Sequence, residues 1–224
     1  MSLIFTVNLG LSMLASALRL GAGAAGRDGV PGEAAQQPLE LFEFEGCPFC
    51  RVAREAISQA GVATIVYPCP KSGARFRPEV KARGGKAQFP YLIDPNTDEA
   101  LYESGDIARY IRNTYGGARP LVHWLGPFNH LSSQLATLAR GLRGTFAAKS
   151  RQPEKRLELR AGERDPGARL VKEILCERET AYLWTPLREP DAVAAGPVLK
   201  DPNTGDAIAG AARIRRHLLD VYAA

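Results

Sequence analysis

The chain has 224 residues, 45% of them hydrophobic and 24% charged, with a formal net charge of +5. That length supports a core of ordinary size in one or two domains and excludes global disorder. The basic residues form no run of five or more and do not interleave with aromatics, which argues against nucleic-acid binding. Four cysteines do not make a secreted-type disulfide framework, so the cytoplasm or an organellar stroma is expected rather than secretion.

In chain order, residues 3–18 are apolar but lack the basic opening of a signal peptide. They are interrupted by Asn8, Ser12 and Ser16 and fall short of a membrane crossing, so they read as a core helix. A glycine-rich loop follows over 21–32. The bulky residues of Leu39-Glu40-Leu41-Phe42-Glu43-Phe44 predict a buried strand. Val52, Ala56, Ile57 and Ala60 keep helical spacing from Pro48 until Gly61 supplies a stop. Further on, the signals predict a strand at Thr64 to Tyr67, a helix around Pro78 to Arg83, and a strand at Tyr91 to Ile93. A turn at Asp94-Pro95-Asn96-Thr97, a strand at Ala100 to Tyr102 and a helix from Ser104 to Tyr115 complete the series. The first crossover is expected to be parallel and the final hairpin antiparallel, the order of the thioredoxin architecture.

The chain then repeats itself. Ser12 to Arg19 resembles Ser133 to Arg140, Leu39-Glu40-Leu41 returns as Leu157-Glu158-Leu159, and Arg51 to Ile57 returns as Arg169 to Leu175. Pro90 to Thr97 returns as Pro197 to Thr204. Two copies of one unit are the simplest reading: an α/β chain of two thioredoxin-like domains in tandem, 1–119 and 120–224, each preceded by an apolar helix.

The plainest chemistry lies in Gly46-Cys47-Pro48-Phe49-Cys50, between the first strand and its helix. A helix N-terminus stabilises a negative sulfur through unpaired N–H groups and the helix dipole, which can draw a thiol pKa from about 8.5 to between roughly 3.5 and 7.5. Cys47 is then the candidate nucleophile. Cys50, one turn further in, can attack a mixed disulfide on Cys47. The alternatives are an inert thiol pair or a metal knuckle. Cys69, Cys176 and the three histidines offer no matching ligand spacing, so no metal is expected.

Cys47-Pro48-Phe49-Cys50, Gln88-Phe89-Pro90 and Glu103-Ser104, in that order, resemble the glutathione S-transferase N-terminal domain, close to the glutaredoxins, in a two-repeat arrangement without an all-helical transferase domain. The resemblance implies that Pro90 is cis and faces the active cysteine, with the backbone before it pairing with glutathione. It implies that Ser104 caps the last helix and, with Glu103, holds the γ-glutamyl end. Phe49, Gln88 and Phe89 join this set. Lys71, Arg75, Arg77 and Lys86 are candidates for the glycyl carboxylate. Glu43 and Glu45 depart from the basic residue that many glutaredoxins carry before the motif, and Arg51 and Arg54 are available to compensate.

The second copy loses this chemistry. Cys47, Phe49 and Cys50 correspond to Asp165, Gly167 and Ala168, while Glu103 and Ser104 correspond to Gly210 and Ala211. The middle helix is expected to be missing, Cys69 and Cys176 to be buried spacers, and the second sheet to be open to a homo- or hetero-oligomeric partner. The leading expectation is a glutathione-dependent thiol–disulfide oxidoreductase of glutaredoxin type, with glutathione as co-substrate and disulfides as substrates. The alternatives are a non-catalytic glutathione-binding or protein-interaction module and, with less support, a glutathione transferase.

Overall fold

The computed structural model describes residues 6–7, 34–117, 143–187 and 196–224. The expected amino-terminal helix, its glycine-rich loop and the apolar connector 121–128 lie outside these residues. The first half runs β1 (Leu39–Glu43), α1 (Pro48–Ala60), β2 (Thr64–Pro68), α2 (Arg77–Gly84), β3 (Tyr91–Asp94), β4 (Glu99–Tyr102) and α3 (Ser104–Tyr115). The second runs β5 (Leu157–Ala161), α4 (Pro166–Glu177), β6 (Tyr182–Pro186), β7 (Val198–Asp201), β8 (Asp206–Ala209) and α5 (Ala211–Val221). The lost middle helix of the second half would fall largely at 188–195, outside the described residues.

All eight strands form one sheet in the order β4-β3-β1-β2-β6-β5-β7-β8. Within each half the first two strands are parallel and the hairpin is antiparallel. The seam is the antiparallel pair β2–β6, in which Ile65 lies opposite Leu183. These two residues are counterparts in the internal repeat, so the seam has the register of a local two-fold axis. Each half thereby covers the edge that the other would leave unpaired, and β6 has no free edge to offer a partner.

Strand alternation sorts the side chains. Leu39 and Leu41 point to the face covered by α1 and α3, where they join Val52, Ile57, Ile107 and Ile111. The same cluster continues without a break into Leu157, Leu159, Val171, Trp184 and Leu218 under α4 and α5. On the opposite face, α2 covers a separate cluster of Phe42, Phe76, Val80 and Tyr91. There the Phe42 and Tyr67 rings stack 4.6 Å apart. Helix α1 starts at Pro48, whose missing N–H costs nothing in a first turn, and stops at Gly61, whose left-handed φ of 70° returns its N–H to Ile57 and Ser58.

Candidate functional site

Cys47 is the N-cap of α1, with extended backbone (φ −82°, ψ 122°), and its sulfur accepts from the Cys50 N–H at 3.3 Å. The thiol of Cys50 and the backbone N–H groups of Cys50 and Phe49 together hold the Cys47 thiol below its ordinary pKa, against opposition from burial and the Glu43 carboxylate. Cys50 moves the other way, driven first by burial and then by the negative sulfur beside it. The two thiols therefore differ sharply in readiness to ionise. Cys47 is 4% exposed and Cys50 fully enclosed, and all four cysteines are free thiols.

The loop before Cys47 is pinned from the second half of the chain. The Gly46 N–H donates to the Gly144 carbonyl at 3.0 Å, and the Glu45 N–H to the Cys176 sulfur at 3.2 Å. Residue 46 must be glycine here, because a Cβ would collide with the Thr145 side chain. The next stretch adds a strand-like contact with the loop after β2: Lys71 N–H donates to the Thr145 carbonyl at 2.6 Å and Ala147 N–H to the Lys71 carbonyl at 3.0 Å. Cys176 is thus buried as expected and also ties α4 to the active loop.

A layer of carboxylates and cations lies beneath the thiols. Arg54 of α1 pairs with Glu43, with Glu45 at 3.0 Å and with Glu163 of the second half at 3.1 Å. Lys172 pairs with the same Glu163 at 2.5 Å and lies over the Trp184 ring, 3.6 Å from its centroid. Arg51 instead pairs with Glu55 along the helix at 3.4 Å. Arg54 thus supplies compensation expected for Glu43 and Glu45. Burial lifts the Glu43 carboxyl to about 7 against the pull of Arg54, whereas Lys172, Arg54 and Arg169 overcome burial at Glu163 and hold it well below the usual range.

The other site residues approach from β3 and α3. The Phe89–Pro90 peptide is cis. The Phe89 ring meets Phe44 edge-on at 6.2 Å, which brings the β3 lead-in against the loop before Cys47, and the Arg77 guanidinium lies 4.7 Å from the Phe89 ring centroid. The Gln88 side-chain amide donates to the Glu103 carboxylate. Glu103 itself is the N-cap of α3, at φ 64°, with no side-chain capping bond, and Ser104 is the first helical residue and buried. This corrects the expected role of Ser104 as the cap: the helix begins at Ser104, as expected, with Glu103 as its N-cap, and the Glu103 carboxylate bonds to Gln88. Phe49 stands 43% exposed at the mouth of the motif. Lys86 and Arg75 turn to rings, Lys86 4.5 Å from the Tyr102 centroid and Arg75 5.1 Å from that of Phe76. Arg77 is held by the carbonyls of Cys69 and Pro70 at 3.2 and 2.7 Å.

At the equivalent place in the second half, Asp165 caps α4, its carboxylate accepting from the Gly167 N–H at 2.7 Å. Pro166, Gly167, Pro197, Gly210 and Ala211 line a cavity of about 480 Å³ there, where the small residues replace the bulkier ones of the first half. Among the described residues, no group of three or more His, Cys, Asp or Glu side chains is placed to hold a metal ion. No helix among them is long and apolar enough to cross a membrane.

The βαβ unit, the helix and hairpin after it, and the cis-proline before β3 define the first half as a thioredoxin-like α/β domain. Residues 41–119 match the family model described as the glutathione S-transferase, N-terminal domain. No curated protein and no solved structure matches the chain.

Sequence reasoning did not find the Arg54–Glu163–Lys172 connection. The repeat contained its signal, since Glu45 and Arg54 recur as Glu163 and Lys172 with charge sign retained. It also read Asp94-Pro95-Asn96-Thr97 only as a turn. Asn96 accepts from the Gln36 and Gln37 N–H groups at 2.9 and 2.8 Å, and Asn203 does the same for Lys155 at 2.7 Å, so each turn also anchors the segment entering its half.

Proposed function

We propose that the chain is a glutathione-dependent thiol–disulfide oxidoreductase in which Cys47 is the nucleophile and Cys50 the resolving thiol. The observation that carries this reading is the opposed tuning of the two sulfurs: Cys47 is lowered at a helix N-terminus, and Cys50 is raised one turn deeper. Cys47 thiolate attacks one sulfur of a disulfide, the S–S bond breaks, and a thiolate leaves with its proton taken from solvent. The mixed disulfide on Cys47 is then released either by a glutathione thiolate or by Cys50. Glutathione, in this reading, lies along the backbone before cis-Pro90, with its γ-glutamyl end toward Glu103 and Ser104 and Phe49 beside the reacting sulfur. Arg77, stacked on Phe89, is nearer to that path than Arg75 or Lys86, so it is the better-supported partner for the glycyl carboxylate.

Reduction of hydroxyethyl disulfide by glutathione tests the proposal. The native chain turns over, and Cys47→Ser falls to the uncatalysed background; equal rates for the two would end the reading.

A second reading draws on the shared sheet. A half that lacks the thiol pair and completes the edge of the first supports a binding or assembly module in which Cys47 is not turned over. A stable complex with a partner protein, formed by a chain with no thiol turnover, favours that reading instead.

A further inference from the structure

We propose that Phe146, contributed by the segment that enters the second half, is the anchor of a docking surface for the polypeptide that carries the substrate disulfide, and that this polypeptide is an extended, acidic segment of another protein. This rests on the thiol–disulfide reading above and adds the substrate class to it.

The large hydrophobic side chains left exposed among the described residues are Val7, Phe49 and Phe146, the last at 53%. Two of these flank the reactive sulfur. Phe49 belongs to the thiol motif, and Phe146 follows Thr145, whose side chain lies against Gly46. An aromatic ring held in water beside a nucleophile marks a surface that a partner covers.

The sheet order gives that partner a place of its own. Strand β1, which leads to Cys47, lies between β3 and β2. On the β3 side is the Phe89–Pro90 lead-in, along which glutathione lies in the reading above. On the β2 side is Lys71, three residues past Pro68, and Lys71 bridges to Phe146 in parallel register. Glutathione and a polypeptide thus approach Cys47 from opposite sides.

The backbone supplies more than the ring. Lys71 spends its N–H and carbonyl on Thr145 and Ala147, and in a parallel bridge the residue between those two turns its own groups the other way. Among the described residues neither the N–H nor the carbonyl of Phe146 has a hydrogen-bond partner. A free donor, a free acceptor and an apolar side chain at one strand position are what an extended peptide uses when it adds to an edge. The surface is also preformed, which limits the ordering cost of binding. The Ala148 N–H donates to the Glu177 carbonyl at 2.6 Å, and the Gly144 N–H to the Glu177 carboxylate at 2.9 Å. The loop after Lys71 is fixed to the second half by Glu179, which accepts from the Ala74 and Arg75 N–H groups at 3.3 and 2.9 Å.

Charge selects the partner. Lys71, Arg75 and Lys149 are exposed around Phe146, and Arg143 is half-buried. The acids nearby, Glu177 and Glu179, are fewer and are engaged by the backbone N–H groups just named. The surplus is positive, so a segment with Asp or Glu beside its disulfide complements it.

Two mixed disulfides of thionitrobenzoate test this, one on the cysteine of a short extended peptide flanked by glutamates and one on free cysteine, each given to the full reduced chain. The Cys47 thiolate attacks the probe's cysteine sulfur, the S–S bond breaks, and thionitrobenzoate leaves as the thiolate of lower pKa, so its release reports the first step. Phe146→Ser is expected to slow release from the peptide about tenfold and leave release from free cysteine unchanged, while Phe146→Tyr restores the peptide rate. A lysine-flanked peptide reacts more slowly than the glutamate-flanked one, by a margin that shrinks in Lys71→Gln and with added salt. An unchanged peptide rate in Phe146→Ser, an equal fall with both probes, or no preference for glutamate over lysine overturns the proposal. A native dimer in sedimentation that Phe146→Ser dissolves also overturns it, because the face then belongs to a second copy of this chain. A native chain that releases nothing from either probe, like Cys47→Ser, sinks the underlying thiol reading itself.

Discussion

Two sulfurs three residues apart are driven in opposite directions by a single helix end. Cys47 receives N–H groups and lies at the positive pole, while Cys50 loses water and gains a negative neighbour. Titration of the thiolate absorbance therefore places the Cys47 pKa below that of free cysteine, about 8.5. An unshifted value would remove Cys47 as a dedicated nucleophile. Removing the Glu43 charge lowers it further, since that carboxylate opposes the thiolate, and Glu43→Gln read by the same absorbance checks the sign. The identity of these residues was legible in the sequence because the spacing of two cysteines and a proline at a helix start specifies local geometry. The role of Ser104 was not. Ser104 is the first helical residue with Glu103 as its cap, and the Glu103 carboxylate meets Gln88 across 15 residues of chain, a contact outside any local pattern.

The recurring Asp-Pro-Asn-Thr element does more than reverse the chain. In the second half, Asp201 accepts from the Tyr222 hydroxyl at 2.7 Å and lies 2.8 Å from His217 Nε2; in the first, Asp94 accepts from Tyr115 and Tyr110. Each half thus fastens its final helix to its hairpin by one buried carboxylate. Burial alone would raise Asp201, but the bonds from His217, Tyr222 and Asn203 outweigh it and bring the carboxyl down to about 2. A depressed carboxyl contributes stability above its unfolded value near 4 and loses it as pH falls through the folded one. Tyr222→Phe is expected to cost about 1–2 kcal/mol at pH 7 and progressively less toward pH 2. Urea unfolding midpoints at pH 7, 4 and 2.5 check this; a cost that does not vary with pH would show that the Asp201 bond is not its source.

Across the whole molecule, two halves share one sheet and one apolar cluster, with Arg54 bridging them to Glu163. A core without a break unfolds cooperatively, so chemical denaturation is expected to show a single transition with coincident fluorescence and circular dichroism. Arg54→Met removes the buried cation that Glu43, Glu45 and Glu163 share. It should cost about 3–5 kcal/mol, against a smaller loss for an exposed-pair variant such as Lys200→Met, whose partner Glu158 is open to water. Two separate transitions in the native chain, or a negligible cost for Arg54→Met, would show that the halves are energetically independent.

Local signals determined the elements between residues 39 and 115 almost to the residue. Periodicity, Pro48 at a helix start, Gly61 at a helix end and the Asp-Pro-Asn-Thr turn act over a few residues, and the repeat carried segments of that pattern into the second half. The same local logic marked the thiol motif, the cis-proline position, and the loss of the two thiols and of Glu103-Ser104 from the second copy. Tertiary structure alone decided that β2 and β6 join the copies edge to edge, that Thr145 closes over Gly46, and that Arg54 answers Glu43, Glu45 and Glu163 at once. Those contacts connect residues far apart in the chain, Arg54 and Glu163 being 109 positions apart, and no pattern within one copy encodes where a second copy will rest. The reason is physical: a strand edge and a buried charge each require a partner, but which partner satisfies them is settled only when the chain has packed.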